Sequence, residues 1–439
     1  MAQNMSNFDA VLKEVYVGPI REQLSQEKIL LEKVQRNSQD LEGKYGVIPL
    51  HTARNTGVGA RADTGTLPTA GQQGYAVSKW HMKYNYGRFK VTGPTIKASK
   101  SDKGAFAKAI DANIKGLTLD VKKNVNRQLF GDSSGAVAVL TSSTVTTPLT
   151  VQGLYWSANK YLPDNQPIQT ITVADYATLR PADGATACAV NGTASVTSVP
   201  FDGSVFTSAV TNDLLGLYGS TYAASGTNND SSSKELNGLR LIVDDGNCPE
   251  DADWWNQDGT PAGDYTLGLV DFNPYPTWKA VVKESDTPRT SGATLPTRRA
   301  LSESLMDEVV DAVADNGGNV DLIVTTRDIR RAYVDLLRND KRFVNTTKLS
   351  GGYTAIDFNG IPIVTDSDCT RDDMYFLTMS SLVLFQESDW DWMDEDGAIL
   401  SRVSGEDAYE AILYWYSQLG CYARNQNGRL TDIEAGQVS

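Results

Sequence analysis

The chain has 439 residues, of which 40% are hydrophobic and 21% charged, with 54 acidic and 40 basic side chains and a formal net charge of −14. This composition excludes a largely disordered chain, and no uncharged apolar run approaches the roughly 20 residues that a membrane-spanning helix needs. The sequence therefore predicts a folded protein of roughly three structural units that has no membrane span and no secretory signal.

Few side chains suit metal or nucleophilic chemistry. The four cysteines form no CxxC pair and have no nearby histidine, so we expect free thiols. They are Cys188, Cys248, Cys369 and Cys421. Only two histidines occur, His51 and His81, which leaves few candidates for a general base. We therefore predict no metal site and no cofactor.

Charge is distributed unevenly along the chain. Residues 1–131 carry a net charge of +9, and the remaining residues carry −23. A basic segment of this kind indicates either nucleic-acid binding or self-association, in which the basic part of one copy lies on the acidic body of the next. The low isoelectric point, about 4.7, favours self-association.

The first two predicted elements resemble extended arms. Residues 7–41 have apolar side chains at helical spacing and predict an amphipathic helix. Residues 45–95 form two strand-like runs around a stretch rich in glycine, threonine and alanine, which predicts a long hairpin. The stretch between the runs is too long for a tight turn, so we expect the hairpin to reach a neighbouring molecule.

The clearest predicted helix covers residues 104–130, with Asp102 as its N-cap and Gly131 as its stop. Apolar side chains recur along it every three or four residues. They are Phe106, Ile110, Ile114, Leu117, Val121, Val125 and Leu129. A helix of this length with one narrow apolar stripe is expected to lie across a sheet as a spine.

The rest of the chain alternates helices and strands. Residues 165–235 predict a small β insertion, and residues 298–338 predict a helix, a buried strand and a second helix. Several strands follow, and the last, in 408–423, is long enough to be central in a large sheet. Helices and strands in separate blocks predict an α+β fold.

Three patterns are candidates for chemistry. GDSSG at 131–135 matches a nucleophile elbow around Ser133, but it follows a helix and both histidines precede it, so we interpret it as a helix stop. GVGARA at 57–62 matches a phosphate-binding loop without the helix that such a loop requires. Acidic clusters containing tryptophan lie at 244–255 and 387–396. They would suit glycoside hydrolysis, a hard cation or a protein interface, but we favour solvated acidic loops that their tryptophans anchor to the body.

The order of these elements resembles the major capsid proteins of tailed bacteriophages, which have the Hong Kong 97 fold. GAFAKAIDANIKGLTLDVKKNVNRQLFGDSSG is similar to that family's spine helix and the turn after it. NVDLIVTTRDIRRAYVDLL resembles a strand and helix of the axial domain, and FNGIPIVTDSDC with MYFLTMSSLVLFQ resembles the return to the peripheral domain. The resemblance covers most of residues 1–160 and 295–430.

The resemblance implies a division of the chain into four parts. Residues 1–44 would be the N-arm, 45–95 the extended E-loop, 96–132 with 366–439 the peripheral domain, and 133–365 the axial domain, which carries the insertion. The expected E-loop interface residues are Arg54, Arg61, Lys79, Trp80, Lys83 and Arg88. The apolar residues of the predicted helix at 104–130 are expected to pack as the spine. A separate acidic interface would comprise Asp389, Trp390, Asp391 and Trp392.

The implied function is the icosahedral head shell of a phage, built from hexamers and pentamers in the host cytoplasm. The shell would enclose double-stranded DNA without sequence-specific binding, and the protein would be a virion component. Portal and decoration proteins are expected partners. The sequence starts at Met1. If this is the chain of a mature shell, no N-terminal scaffolding segment has been removed from it, and we then expect a separate scaffolding protein.

Two other functions stay open at this point. An encapsulin-type shell resembles the same fold, although its chains are typically shorter and the insertion argues against it. A carboxylate-based hydrolase would depend on the acidic tryptophan clusters, would be active as a monomer, and would lose turnover on Asp391→Asn or Asp394→Asn.

Overall fold

The computed structural model describes residues 29–94, 103–133, 135–140, 151–153, 156, 161, 167–172, 189–195, 214–217, 234–244, 266–267, 270–271, 276–285, 298–339, 346–348, 354–394 and 399–434. The helices in these ranges are α1 (Ile29–Lys33), α2 (Lys103–Phe130), α3 (Leu239–Ile242), α4 (Glu303–Asp315) and α5 (Arg327–Asn339). Short 3-10 turns occur at Pro276–Trp278, Met379–Ser381 and Arg424–Gln426.

The strands of the described ranges are β1 (Gln35–Asn37), β2 (Leu41–Glu42), β3 (Tyr45–Ala53), β4 (Gly74–His81), β5 (Lys83–Thr92), β6 (Ala136–Leu140), β7 (Val151–Gly153), β8 (Pro167–Thr172), β9 (Ala189–Ser195), β10 (Leu214–Leu217), β11 (Thr266–Leu267), β12 (Val270–Asp271), β13 (Val281–Lys283), β14 (Leu322–Thr325), β15 (Thr346–Lys348), β16 (Thr354–Phe358), β17 (Ile361–Thr365), β18 (Met374–Leu377), β19 (Leu382–Gln386), β20 (Asp391–Trp392), β21 (Ser401–Arg402), β22 (Ala408–Cys421) and β23 (Gly428–Leu430). The predicted α+β class is confirmed.

The central strand of one sheet is β22, as its length and its aromatic residues predict. Along one edge it pairs with β5, from Ala408 opposite Thr92 to Ser417 opposite Lys83. Along the other edge it pairs with β19, β20 and β21, and β1 adds a parallel strand beyond β19. The sheet therefore joins segments from both ends of the chain.

Helix α2 lies across this sheet, as predicted for the spine. A Cβ atom on Gly87 of β5 would lie 3.3 Å from Cδ1 of Leu117, so the glycine lets the helix approach the strand closely. Ile114 and Leu117 pack against Phe89, Val91 and Ala411 on this face. At the C-terminal end of the helix, Val125, Leu129 and Phe130 enter the main core.

A second sheet has the order β13-β23-β18-β14-β17-β16-β15. Its two faces belong to different clusters, because alternate residues of a strand point to opposite sides. Ile323 of β14 packs with α4 and α5, whereas Leu322 and Val324 pack into the main core with Phe130. Along the chain α4 lies between β13 and β14, and α5 lies between β14 and β15. Each helix thus connects two parallel strands in the same direction across the sheet, and right-handed crossovers place both helices on one face.

A hairpin arm, defined as β3, β4 and the connecting residues 54–73, leaves the body beside β5. Strand β3 pairs with β4 from Tyr45 opposite His81 to Ala53 opposite Gly74. Only Met82 separates β4 from β5, so one strand of the arm continues directly into the sheet around β22.

Two predictions about elements need correction. The helix predicted over 7–41 ends at Lys33, because residues 35–37 pair with 383–385 as β1 instead; residues 1–28 lie outside the described part. The β sheet predicted at 165–235 begins earlier, since β8, β9 and β10 share a sheet with β6 and β7. Among the described residues, no helix combines the length and apolar character needed to cross a membrane.

Candidate assembly surfaces

The hairpin arm exposes apolar side chains that a single subunit leaves in water. Val58 is 85% exposed and Leu67 is 82% exposed near the end of the arm. Tyr75 and Val77 on β4 are also exposed, at 71% and 50%. A surface of this kind is typical of a segment that is covered in an assembly.

Three of the predicted basic residues of the arm lie at its surface. Arg54, Arg61 and Lys79 are exposed. The Arg61 guanidinium donates to the carbonyl oxygens of Thr66 at 3.0 Å and Ala60 at 2.9 Å, which orders the connecting residues around it. The ammonium group of Lys79 lies 5.9 Å from the centre of the Tyr45 ring. These side chains give the outer arm a positive surface.

The other three predicted interface residues are used within the subunit. Trp80 is fully buried and Lys83 is 3% exposed, because the alternation along β4 and β5 turns both toward the core. They are not part of an exposed surface, contrary to the expectation. Arg88 is exposed and forms an ion pair with Glu410 of β22. Lys90 forms an ion pair with Glu406.

The described part of the acidic segment, residues 387–394, is attached to the body by its tryptophans. Trp390 stacks on Trp415 with ring centres 4.5 Å apart, and Trp392 contacts Phe89 edge to face. Asp389 forms an exposed ion pair with Arg36 of β1 at 2.5 Å. Asp391 is exposed, so the segment presents carboxylates outward while its indoles pack inward.

A tyrosine face lies on the outer side of the β5–β22 ladder. It comprises Tyr84 opposite Tyr416 and Tyr86 opposite Tyr414. The Tyr84 and Tyr416 rings are 5.1 Å apart and nearly perpendicular, and Tyr84 and Tyr86 are 53% and 56% exposed. Hydrogen bonding with Tyr86, followed by burial, raises the pKa of Tyr416 to about 12. Tyrosine is enriched in protein interfaces because its ring is apolar and its hydroxyl is polar.

Of the predicted spine residues, five can be placed by their side chains. Val121, Val125 and Leu129 are buried, whereas Ile114 and Leu117 are partly buried against the sheet. Phe106 and Ile110 belong to α2, but their side chains lie outside the described part.

The end of the spine helix is held by residues 235–244, here called the core segment. Buried Arg127 forms an ion pair with buried Glu235, and the amide of Gln128 accepts from the backbone N–H of Leu236 at 3.1 Å. Burial opposes the charge of Arg127, but the nearby Glu235 carboxylate outweighs this and raises the pKa of Arg127.

Three more buried arginines fix the far end of the core segment. Arg424 donates to the carbonyl oxygens of Ile242 at 2.7 Å and Asp244 at 2.9 Å. Arg429 donates to the carbonyl oxygen of Arg240, whose own guanidinium pairs with Asp373 at 2.6 Å. Burial works against the charge of Asp373, yet Arg240 and Arg429 lower its pKa to about 2. The backbone N–H of Asn237 also donates to Gln418 of β22 at 2.9 Å, so the core segment is tied to both sheets.

The candidate catalytic patterns have structural roles where they are described. Ser133 is buried, has φ of 70°, and donates to the carbonyl oxygen of Glu235 at 2.8 Å. Residues 57–62 lie in the connecting part of the hairpin arm, between two strands. Within the described ranges, no three His, Cys, Asp or Glu side chains are grouped as metal ligands.

The two described cysteines are buried thiols. Cys369 and Cys421 form no disulfide within the described part of the chain, and burial raises the pKa of Cys421 to about 11. Cys188 and Cys248 lie outside the described residues, as do residues 245–255 of the first acidic cluster.

Comparison with solved structures identifies the fold. The chain matches a chain of the cyanophage A-1(L) capsid asymmetric unit with a TM-score of 0.55 and 16% identity, over 95% of this chain and 96% of that chain. The protein therefore has the fold of tailed-phage capsid proteins, the Hong Kong 97 type, as the resemblance implied.

Other matches have lower scores. Microbacterium phage Oxtober96 matches with a TM-score of 0.44 and 12% identity, over 98% of both chains. The encapsulin complex of Synechococcus elongatus PCC 7942 matches with a TM-score of 0.28 and 11% identity, over 32% of this chain and 52% of that chain. No protein-family model and no curated protein matches the sequence.

The sequence contained signals for two features that the prediction missed, the tyrosine face and the core segment. Tyrosines two residues apart, in β5 and again in β22, must share a face of their strand. The core segment has a weaker signal, because its partners lie more than a hundred residues away in sequence. Only the register and the packing bring these groups together.

Proposed function

We propose that the protein is a major capsid protein that assembles into the icosahedral head shell of a tailed phage. The observation that carries this proposal is the structural match to a phage capsid chain over nearly the whole length of both chains. The apolar and basic residues of the hairpin arm support it, since they are exposed in an isolated subunit and would be covered in an assembly.

The subunits would form hexamers and pentamers by contacts between different surfaces of identical chains. The hairpin arm would act as the E-loop, with its cations lying on the acidic surface of the neighbouring subunit around Asp389 and Asp391. Contacts that are individually weak become strong when they repeat around a closed lattice.

The subdomain limits follow from the same proposal. Residues 1–44 would be the N-arm, 45–95 the E-loop, 96–132 with 366–439 the peripheral domain, and 133–365 the axial domain. Strands β18 and β23 share a sheet with β14, so the two domains would be joined through this sheet.

The proposed partners are those of a phage head. Scaffolding and portal proteins would act during assembly in the host cytoplasm, and decoration proteins would bind the finished shell. The shell would enclose double-stranded DNA without sequence-specific contacts. Its role would be structural, without catalysis, a cofactor or a membrane.

Sedimentation and negative-stain electron microscopy of the purified chain test the function directly. The chain should be examined alone and after co-expression with a candidate scaffolding protein. Closed shells, or rings of five and six subunits, are the expected result. A chain that stays monomeric under both conditions would contradict the proposal.

A further inference from the structure

Helices α4 and α5 lie on the same face of the seven-stranded sheet. Each helix carries charged residues toward the terminus at which the helix dipole makes their charge unfavourable. Helix α4 has five acidic residues, no basic residue, and no cation in its last turn. The aligned peptide dipoles make a helix C-terminus negative, so carboxylates there are destabilising. Asp311 and Asp315 are exposed and lie in the C-terminal half of α4. We call this pair the acidic end.

Helix α5 has the opposite arrangement. It begins with Arg327 and continues with Arg330 and Arg331, so three arginines occupy its first five positions. The N-terminus of a helix is positive and favours carboxylates instead. Arg331 is exposed and pairs only weakly with Asp328, at 3.2 Å on the helix surface. We call Arg330 and Arg331 the basic end.

These two ends lie at opposite ends of one strand. Helix α4 finishes before β14 begins, and α5 starts two residues after Thr325, where β14 ends. A strand of four residues spans about 13 Å, which exceeds the screening length of about 8 Å at physiological ionic strength. The acidic end and the basic end therefore do not neutralise each other within one subunit.

Two complementary surfaces on one chain are what a ring of identical subunits requires. In a head-to-tail ring each copy contributes one surface to the preceding copy and a different surface to the next. Residues that violate local helix preferences without a local benefit are expected where another molecule completes the arrangement. Here the charges of the two ends are opposite in sign.

We propose that the acidic end of α4 contacts the basic end of α5 in the next copy of this chain around the capsomer. The proposal rests on the assembly function above and names a contact separate from the hairpin arm. This contact is an interface between two copies of the chain, and the packing of α4 and α5 on the seven-stranded sheet holds its residues in place.

Charge reversal at each end tests the contact. The variants are Asp311→Lys/Asp315→Lys, Arg330→Glu/Arg331→Glu, and the combination of all four. For the first variant the control is Asp407→Lys/Glu434→Lys, which makes the same change in net charge at exposed acidic residues outside the hairpin arm and both helices. Each protein is assayed by sedimentation for the concentration at which shells or rings form, and by thermal unfolding of the isolated subunit.

We expect each double reversal to raise the assembly concentration by about tenfold, which loss of two exposed ion pairs per subunit would produce. The subunit should keep its Tm to within a few degrees, because the better match with the helix dipoles offsets the loss of the exposed pair between Asp328 and Arg331. The fourfold variant should recover assembly, and the control should assemble as the wild type does.

Three results would overturn the proposal. The double reversals could assemble like the control, or the fourfold variant could stay as defective as the doubles. A wild-type chain that forms no shell or ring would remove the proposed function and this contact with it. In the first two results the wild-type chain still assembles. Those results would refute the contact between the acidic end and the basic end and leave the proposed function standing.

Discussion

Gly238 of the core segment lies directly against Gly131, where the spine helix ends. A Cβ atom on Gly238 would be closer than a permitted contact to the carbonyl oxygen and, at 2.6 Å, to the nitrogen of Gly131. Both neighbours are backbone atoms in a buried region, so neither can rotate away. The absence of a side chain at 238 is what lets the core segment pass the helix terminus.

Gly238→Ala is therefore expected to destabilise the subunit by about 3 kcal/mol, at the upper end of the cost of overpacking. Chemical denaturation measures the change. Gly116→Ala is the matched control, because a Cβ atom at this position of α2 meets nothing within 4 Å. It should stabilise the subunit by up to about 1 kcal/mol through helix propensity. Equal effects of the two substitutions would contradict the close approach.

Glu235→Gln should destabilise the subunit by about 3–5 kcal/mol, because it leaves the buried Arg127 guanidinium without its counter-charge. The comparison is the double variant Arg127→Met/Glu235→Met, which removes both charges. The double variant should lose less stability than Glu235→Gln, as measured by urea denaturation. A larger loss in the double variant would mean that the apolar stems, rather than the charges, hold this contact.

Stability should fall as the pH is lowered from about 6.5 to 4, because of His81 at the base of the hairpin arm. Burial, together with the charges of Lys83 and Lys44, lowers the pKa of His81 to about 4. An unfolded histidine titrates near 6.5, so in this window the unfolded chain binds the extra proton.

His81→Gln should reduce the slope of stability against pH between 6.5 and 4. The measurement is urea denaturation of wild type and variant at several pH values in this interval. An unchanged slope in the variant would exclude His81 as its source.

Arg54→Glu/Arg61→Glu/Lys79→Glu should lower the yield of assembled particles and leave subunit unfolding unchanged, because all three side chains are exposed. Lys83→Glu is the contrasting variant and should destabilise the subunit, because Lys83 is buried. Sedimentation and circular dichroism separate the two effects.

A second substitution tests the acidic partner surface. Asp389→Lys/Asp391→Lys in the triple-reversal background should restore assembly if the arm contacts this surface in the next copy. The pair between Asp389 and Arg36 is exposed and contributes at most about 1 kcal/mol. Wild-type yield from the triple reversal alone would refute the electrostatic contact.

Local patterns predicted the long elements. The stripe on α2 and the long aromatic run of β22 gave the correct element types because each can be read from consecutive residues. The strand β1 was missed because its conformation depends on pairing with β19, about 350 residues away.

The buried positions of Trp80 and Lys83 were missed for a similar reason. Alternation shows that the two faces of a strand differ, but tertiary packing decides which face is covered. The core segment depends on the same kind of distant contact, through Arg424 and Arg429.

The direct passage of β4 into β5 has a mechanical consequence. Because only Met82 separates the two strands, a pull on β4 is passed to β5 at Lys83. A pull directed along β5 loads the β5–β22 hydrogen bonds, from Lys83 to Thr92, together in shear. Unzipping would require a force perpendicular to the strands, which breaks the bonds one at a time. The arm is thus anchored by the β5–β22 hydrogen bonds, which resist such a pull together.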